Sequence, residues 1–349
     1  MPPRLKSLLS PFVPAHVSNP FGLARRMIAS GNRVALFTLF ATILGILCIP
    51  LDLLLAIRER QRVASAPAVP ARPTIFICGP ARSGTTLVFQ VLCRHLDVTY
   101  LQNVTALFPR SPIVVSRIYR RLARSRTDIA RPYENYYGKT GGLAGPSEAN
   151  HVWHRWVLPD ATGFRTILPP AGAAAAARFF AALGDAAGKP VIAKNNNLNA
   201  FADVMASAVP GALILCLRRR PEFLAQSLLQ ARREIHGSVA RGYGVQDAGN
   251  GGAAGEPVPS VCAQVAFLDR MAQEMRARVG PERFWIVDYE EFCRSPGTLV
   301  AAVAAKLSIP MAAGTDAGSI APIPVNNVVR DEAELESIRH GLKAAGVGA

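Results

Sequence analysis

One short turn restricts the fold more than any other stretch of the chain. The residues Gly79–Thr86 read GPARSGTT, with the apolar run TIFIC just before them and a helix-like apolar run just after. A strand that passes through a small-residue turn into a helix is the first half of a βαβ unit. Backbone amides at such a turn, together with the positive end of the helix, form an oxyanion site. Ser83, Thr85 and Thr86 add hydroxyl donors, and Arg82 adds charge-assisted ones. Against the phosphate-loop pattern GxxxxGK[ST], both glycines and Thr86 are in place, but Thr85 stands where the lysine belongs. The nearest candidate for a magnesium ligand is Asp288, at the end of FWIVD. A nucleoside triphosphatase without that lysine is badly impaired. The turn therefore suits a phosphate-like group handled by some other chemistry.

Beyond Pro73 strand and helix patterns alternate. Strands are expected over Thr74–Cys78, Pro190–Lys194, Ala212–Leu217 and Phe284–Asp288. Helices are expected over Thr85–His95, Pro221–Arg233, Val261–Val279 and Pro296–Leu307. Such alternation implies an α/β fold, a parallel sheet flanked by helices. The segment from Tyr243 to Ser260, rich in Gly and Ala, reads as a mobile loop, either a lid or an insertion.

A second strand-to-helix turn lies in LILCLRRRPEFLAQSLL (Leu213–Leu229). Arg219 at the strand end and Ser227 two turns into the helix are spaced to face one phosphate.

With both turns in view, the chain resembles the sulfotransferases that use 3′-phosphoadenosine 5′-phosphosulfate (PAPS). GPARSGTT resembles their phosphosulfate loop, G-x-P-[RK]-[ST]-G-T-T, with Ala81 in the place of the proline. The Arg219–Ser227 segment resembles their 3′-phosphate motif, with Arg220 where the family usually has aspartate. Two softer likenesses are the strand and Tyr-Glu turn at 284–309 and the Asn-containing segment at 325–342. The resemblance implies a P-loop-NTPase-like sulfotransferase fold, PAPS as sulfate donor and no metal. Gly79, Arg82, Ser83, Gly84, Thr85, Thr86, Arg219 and Ser227 would bind the nucleotide. It also implies sulfuryl transfer to a hydroxyl, less readily an amine, of a glycan, lipid or small metabolite. The alternatives are a P-loop-like nucleotide or nucleoside kinase and a non-catalytic, membrane-tethered nucleotide-binding module.

Such an in-line displacement needs a general base and cations on the sulfuryl oxygens. Arg82 is one candidate cation. Lys194, in VIAKNNN, is another, similar to a lysine that the family places before its 3′-phosphate strand. The cluster GPSEANHVWHRW (Gly145–Trp156) offers the bases, in the order Glu148, His151, His154. On a helix Glu148 and His151 would share a face. Trp153 and Trp156 would wall an acceptor pocket and raise the carboxyl pKa by desolvation.

The N-terminal part is of another kind. Residues 1–33 are basic and Pro-punctuated, 34–57 are apolar with the single charge Asp52, and 58–73 read as a stiff Pro-rich linker to a catalytic domain at 74–349. As one helix, 34–57 would be roughly 36 Å long at ~1.5 Å per residue, enough to cross a membrane. Pro50 and Asp52 leave a kinked or re-entrant segment open, and arginines at both ends leave the orientation undecided. A single-pass or monotopic membrane protein is therefore expected. Its catalytic domain would face the cytoplasm if the source is bacterial, where PAPS is made in the cytosol.

The net charge of +15 fits anionic partners, and no nucleic-acid-binding signature accompanies it. The basic run Pro109–Arg126 reads first as a solvated helix face and second as a contact for anionic headgroups. The cysteines lack CxxC spacing and read as reduced, mostly buried thiols.

Overall fold

The computed structural model describes residues 12, 20–122, 133, 135–136, 138–160, 165–247 and 256–347. Among the described residues the first elements are three helices, α1 (Pro20–Ala29), α2 (Arg33–Leu47) and α3 (Ile49–Ser65). The single helix expected over 34–57 is thus broken at Cys48, where α2 and α3 meet at 77°. Pro50 lies in the first turn of α3. Without an N–H, and with a ring that clashes with the preceding turn, it forbids a continuous helix. Among the described residues no single helix is long and apolar enough to cross a membrane. The expected linker shortens too, because α3 continues to Ser65.

Buried carboxylates dock α3 onto the rest of the chain, alongside apolar contacts from Leu55 and Val63. Asp52 accepts from the Ser111 hydroxyl at 2.7 Å and pairs with Arg110 Nη1 at 3.2 Å. About two turns later Glu59 accepts the amides of Ile113 (3.1 Å) and Val114 (2.9 Å). These are orphan donors at the start of α5, which a carboxylate satisfies well.

The sheet begins at β1 (Thr74–Cys78), buried along its whole length, and passes through the turn into α4 (Thr85–His95). Next come α5 (Pro112–Leu122), the short α6 (Asn150–Trp153) and the alanine-rich α7 (Pro170–Ala187). Then β2 (Val191–Lys194) leads to α8 (Ala202–Ala208), and β3 (Ala212–Arg218) leads to α9 (Pro221–Ala231) and α10 (Pro257–Val279). Finally β4 (Phe284–Asp288) leads to α11 (Tyr289–Arg294), α12 (Pro296–Leu307) and α13 (Glu332–Ala344). The strands pair in the order β2-β1-β3-β4, all parallel. Ile77 lies opposite Lys194, and Cys78 opposite Cys216.

Because successive side chains alternate, each strand feeds two cores. Phe76, Ile214 and Phe284 face Trp153, Phe179 and Phe180, whereas Ile75, Ile77 and Leu215 face Val88, Phe89 and Val300. A parallel sheet covered on both faces is the architecture that the strand–helix alternation implied. All six cysteines are unpaired, and all but Cys48 are buried. In the basic run, the first residues of α5 are buried while Arg121 is exposed; residues 123–126 lie outside the described residues.

Replacing Asp52 with Ala strips the Arg110 amide and the Ser111 hydroxyl of their acceptor. The expected loss is about 1–3 kcal/mol. Urea unfolding will show a lower midpoint, and protease will cut more readily near 66–73.

Candidate functional site

In a parallel sheet the crevice for ligands lies beyond the carboxyl ends of the strands. Here those ends carry the turn Gly79–Gly84 after β1, Asn195–Asn197 after β2, Arg219 after β3 and Tyr289 after β4.

The β1 turn is tight enough to dictate its residues. Gly79 has φ +132°, and a Cβ there would sit 2.7 Å from the Leu217 carbonyl oxygen. Gly84 has φ +94°, and its Cβ would sit 2.3 Å from the Tyr289 ring. Arg82 occupies left-handed space at φ 73°, where L side chains are strained. Two contacts hold it there: Arg219 Nη1 donates to its carbonyl at 2.9 Å, and its own Nε donates to Ser227 Oγ at 3.1 Å. The two motifs therefore touch, with Arg82 rather than Arg219 on the serine.

Arg219 is the hub of this end of the sheet. Besides the Arg82 carbonyl it donates to the Asn326 carbonyl and to Asn327 Oδ1 at 3.0 Å. Its guanidinium lies 5.1 Å over the Tyr289 ring, and the Tyr289 hydroxyl accepts from the Asn326 amide at 3.1 Å. Arg220 pairs with Glu222 at 2.5 Å. Asp288, the candidate magnesium ligand, is engaged by Arg218 Nε at 2.9 Å and Nη2 at 3.1 Å.

The hydroxyls of the turn divide their tasks. Ser83 is fully buried and donates to the Pro80 carbonyl at 2.8 Å, which closes the turn on itself. Thr85 donates to Asn196 Oδ1 at 3.0 Å and so ties the β1 turn to the β2 turn. Thr86 Oγ1 lies 3.8 Å from the Cβ position of Gly138, and the same point is 3.6 Å from Glu148 Oε2 and 3.9 Å from Lys194 Nζ. Three chemically active groups thus converge on one small space, open because residue 138 has no side chain.

Lys194 ends β2 at 1% exposure and donates to Glu148 Oε2 at 2.8 Å. The Asn196 amide donates to Glu148 Oε1 at 3.2 Å. Burial pushes the Glu148 carboxyl up. The Lys194 ammonium, the Asn196 amide and the more distant Lys139 outweigh it and hold the carboxyl below its ordinary value. This reverses the raised pKa expected from the sequence. Of the two tryptophans expected to wall the acceptor pocket, Trp156 lines the larger cleft, whereas Trp153 is 2% exposed and packs edge-on against Phe76 at 6.1 Å, inside the core. Nor does Glu148 share a helix face with His151. Ala149 adopts φ 49°, and α6 starts only at Asn150. His151 Nε2 is shut off from solvent without a partner among the described residues. Desolvation first, then the positive charges of Arg155 and Lys139, push its pKa down to about 3. His154 lies at the end of α6 and is exposed.

Two clefts meet here. One of ≈ 710 Å³ is lined by Arg82, Thr85, Thr86, Arg219 and Tyr289. The other, of ≈ 2160 Å³, is lined by Glu148, His151 and Lys139. Ala81, Gly138, Asn196 and Tyr243 line both. The Tyr243 and Val245 carbonyls are held by Gln264 Nε2 at 2.8 and 2.9 Å, so the start of the expected loop is anchored. Its middle, 248–255, lies outside the described residues. Asn196 and Gly138 were missed by sequence reasoning. The polar triplet straight after a lysine-ended strand was the available signal for Asn196; Gly138 had none.

A family model described as "Sulfotransferase family" matches residues 73–313. The chain belongs to the sulfotransferase family. Among solved structures, sulfotransferase STF9 from Mycobacterium avium superposes with a TM-score of 0.51 at 16% identity, over 97% of this chain and 81% of that one. Sulfotransferase STF1 from Mycobacterium tuberculosis H37Rv matches with a TM-score of 0.48 at 17% identity, over 80% of this chain and 78% of that one. At that identity the STF9 likeness speaks for the fold alone. No curated protein matches. The sulfotransferase match starts at the end of the linker, so α1–α3 lie before it.

The His151 shift has a consequence for stability. Between pH 6.5 and about 3 the unfolded chain binds a proton at His151 that the folded chain refuses. Stability therefore falls as pH drops through that window. Urea midpoints at pH 7 and pH 5 should differ more for the wild type than for His151→Gln.

Proposed function

We propose that the chain transfers a sulfuryl group from PAPS to an acceptor hydroxyl, with Glu148 as the general base. The observation that carries this reading is the buried Lys194–Glu148 pair at 2.8 Å, placed beside the space that Gly138 leaves open between the two clefts. The family supplies sulfuryl transfer in general; donor, acceptor and roles are our inference.

The smaller cleft fits the donor in its chemistry. The amides and hydroxyls from Gly84 to Thr86 would hold the phosphosulfate end, in keeping with a helix N-terminus. Arg82 and Ser227, already hydrogen-bonded, would hold the 3′-phosphate, with Arg219 fixing the turn and adding positive charge. When bound, the donor supplies the activated sulfuryl group. The acceptor hydroxyl gives its proton to Glu148 while its oxygen forms the new S–O bond. The old bond to the phosphate oxygen breaks, and its electrons leave with adenosine 3′,5′-bisphosphate. Lys194 Nζ now lies on Glu148 Oε2. Drawn toward the anionic donor, it would free that carboxylate oxygen and restore basicity lost to the pair. Residue by residue, Arg82 is then a phosphate ligand more than the sulfuryl cation, and Lys194 is the cation next to the base. PAPS supply would put this domain on the cytoplasmic side in a bacterium.

Titration calorimetry tests the donor. Adenosine 3′,5′-bisphosphate should bind far better than AMP or ATP, and Ser227→Ala should erode that preference. Equal affinity for AMP and the bisphosphate would contradict the assignment.

For the base, Glu148→Gln should lower kcat by about 10²–10⁴-fold with the bisphosphate affinity retained. The acid limb of the wild-type kcat/KM profile should lie below the ordinary carboxylate pKa, in keeping with the direction of the Glu148 shift, and should vanish in the variant. Unchanged turnover would remove Glu148 from this role.

A further inference from the structure

Helix α3 is inside out by the standards of a water-soluble protein. Asp52, Ala56 and Glu59, spaced i, i+4, i+7, are 0–3% exposed, while Leu51, Leu54 and Ile57 are 50–65% exposed. A surface helix normally puts its charges in water and its leucines inward. On α2 the stripe Leu36, Phe40, Ile43, Leu47 is also solvent-facing, at 43–72% exposure. It is spaced i, i+4, i+7, i+11, and beyond the bend Leu51 and Leu54 are exposed too. Phe21 on α1 (87%) and Leu122 on α5 (76%) are exposed as well. Stripes of this kind on a monomer mark an interaction surface.

The charges indicate what covers it. Both carboxylates of residues 1–65, Asp52 and Glu59, are buried, which leaves Arg25, Arg33, Arg58 and Arg60 exposed. Arg117 on α5 is held below its usual pKa first by Arg121 and then by Arg62, so like charges gather here. Apolar stripes edged by arginine, without exposed carboxylates, match an anionic bilayer surface in both respects. The bend suits a hairpin lying in the plane of the interface rather than across it. The larger cleft connects this surface to the chemistry, because it is walled by Glu148 and His151 and also by Met27, Phe37 and Ala41 of α1 and α2.

We propose that α1–α3 seat in the surface of an anionic membrane and that the acceptor is an amphiphile: a hydroxyl-bearing molecule with a hydrocarbon chain. It enters the cleft from the bilayer, chain against α1 and α2 and hydroxyl at Glu148. The acceptor assignment rests on the sulfuryl-transfer reading; the membrane seat does not.

The test uses the full chain and vesicles of phosphatidylcholine, with or without phosphatidylglycerol, doped with a photoreactive diazirine-bearing long-chain alcohol. The protein should float with the phosphatidylglycerol vesicles, less so in high salt. Crosslinks should fall on cleft-lining residues of α1 and α2, and dodecanol but not butanol should compete for them. The Phe40→Asp/Leu54→Asp variant changes exposed positions and should keep its melting temperature and bisphosphate affinity. Its vesicle binding should drop about tenfold or more. Self-association without flotation would overturn the membrane seat. Flotation with crosslinks only outside the cleft, or with butanol competing as well as dodecanol, would overturn the amphiphile. If bisphosphate binding fails while flotation and cleft labelling persist, the sulfuryl-transfer reading falls and takes the acceptor assignment with it.

Discussion

The site depends on the Arg219 guanidinium. One planar cation at the end of β3 grips the Arg82 carbonyl, the Asn326 carbonyl and the Asn327 side chain, and it lies over the ring of Tyr289. It thereby joins the β1 turn, the end of β3, the start of α11 and the segment before α13. Arginine suits this work because its donors form a rigid fork that stays charged even at 9% exposure. The left-handed backbone at Arg82 persists because this clamp and the Ser227 contact over-determine it. The turn so held lines the smaller cleft with Arg82, Gly84, Thr85 and Thr86.

Across that crevice a second constraint operates. A lysine at 1% exposure needs a counter-charge, and Glu148 supplies it. The same pairing that makes Lys194 tolerable keeps Glu148 ionised and weakly basic. In the proposed reaction, a base muted by its neighbouring cation suits a site where that cation has a second anion to serve. Thr85 and Asn196 hold the two turns together at 3.0 Å, so Glu148, Lys194 and the β1 turn form one unit.

What was legible in the sequence was local. TIFIC, the glycines of GPARSGTT and the helix Thr85–His95 follow from short-range pattern and backbone sterics, and they emerge with those bounds. The arginine–serine spacing was legible for the same reason, but not that Ser227 would sit on Arg82, which turns on a left-handed residue. Glu148 was singled out, yet its setting was misjudged: one positive φ at Ala149 took it off the helix, and the core drew Trp153 away. The apolar run 34–57 passes a length-and-hydropathy test that is blind to tertiary partners. Asp52 finds Arg110 and Ser111 some sixty positions onward, and Pro50 turns one expected span into two helices.

The structure of the complex with adenosine 3′,5′-bisphosphate tests the central claim most directly. The account predicts the 5′-phosphate on the amides at the start of α4. It predicts the 3′-phosphate within hydrogen-bond reach of Arg82 and Ser227, with Lys194 Nζ drawn off Glu148. A nucleotide lying elsewhere, or a 3′-phosphate in solvent with the Arg82–Ser227 contact unchanged, would contradict it.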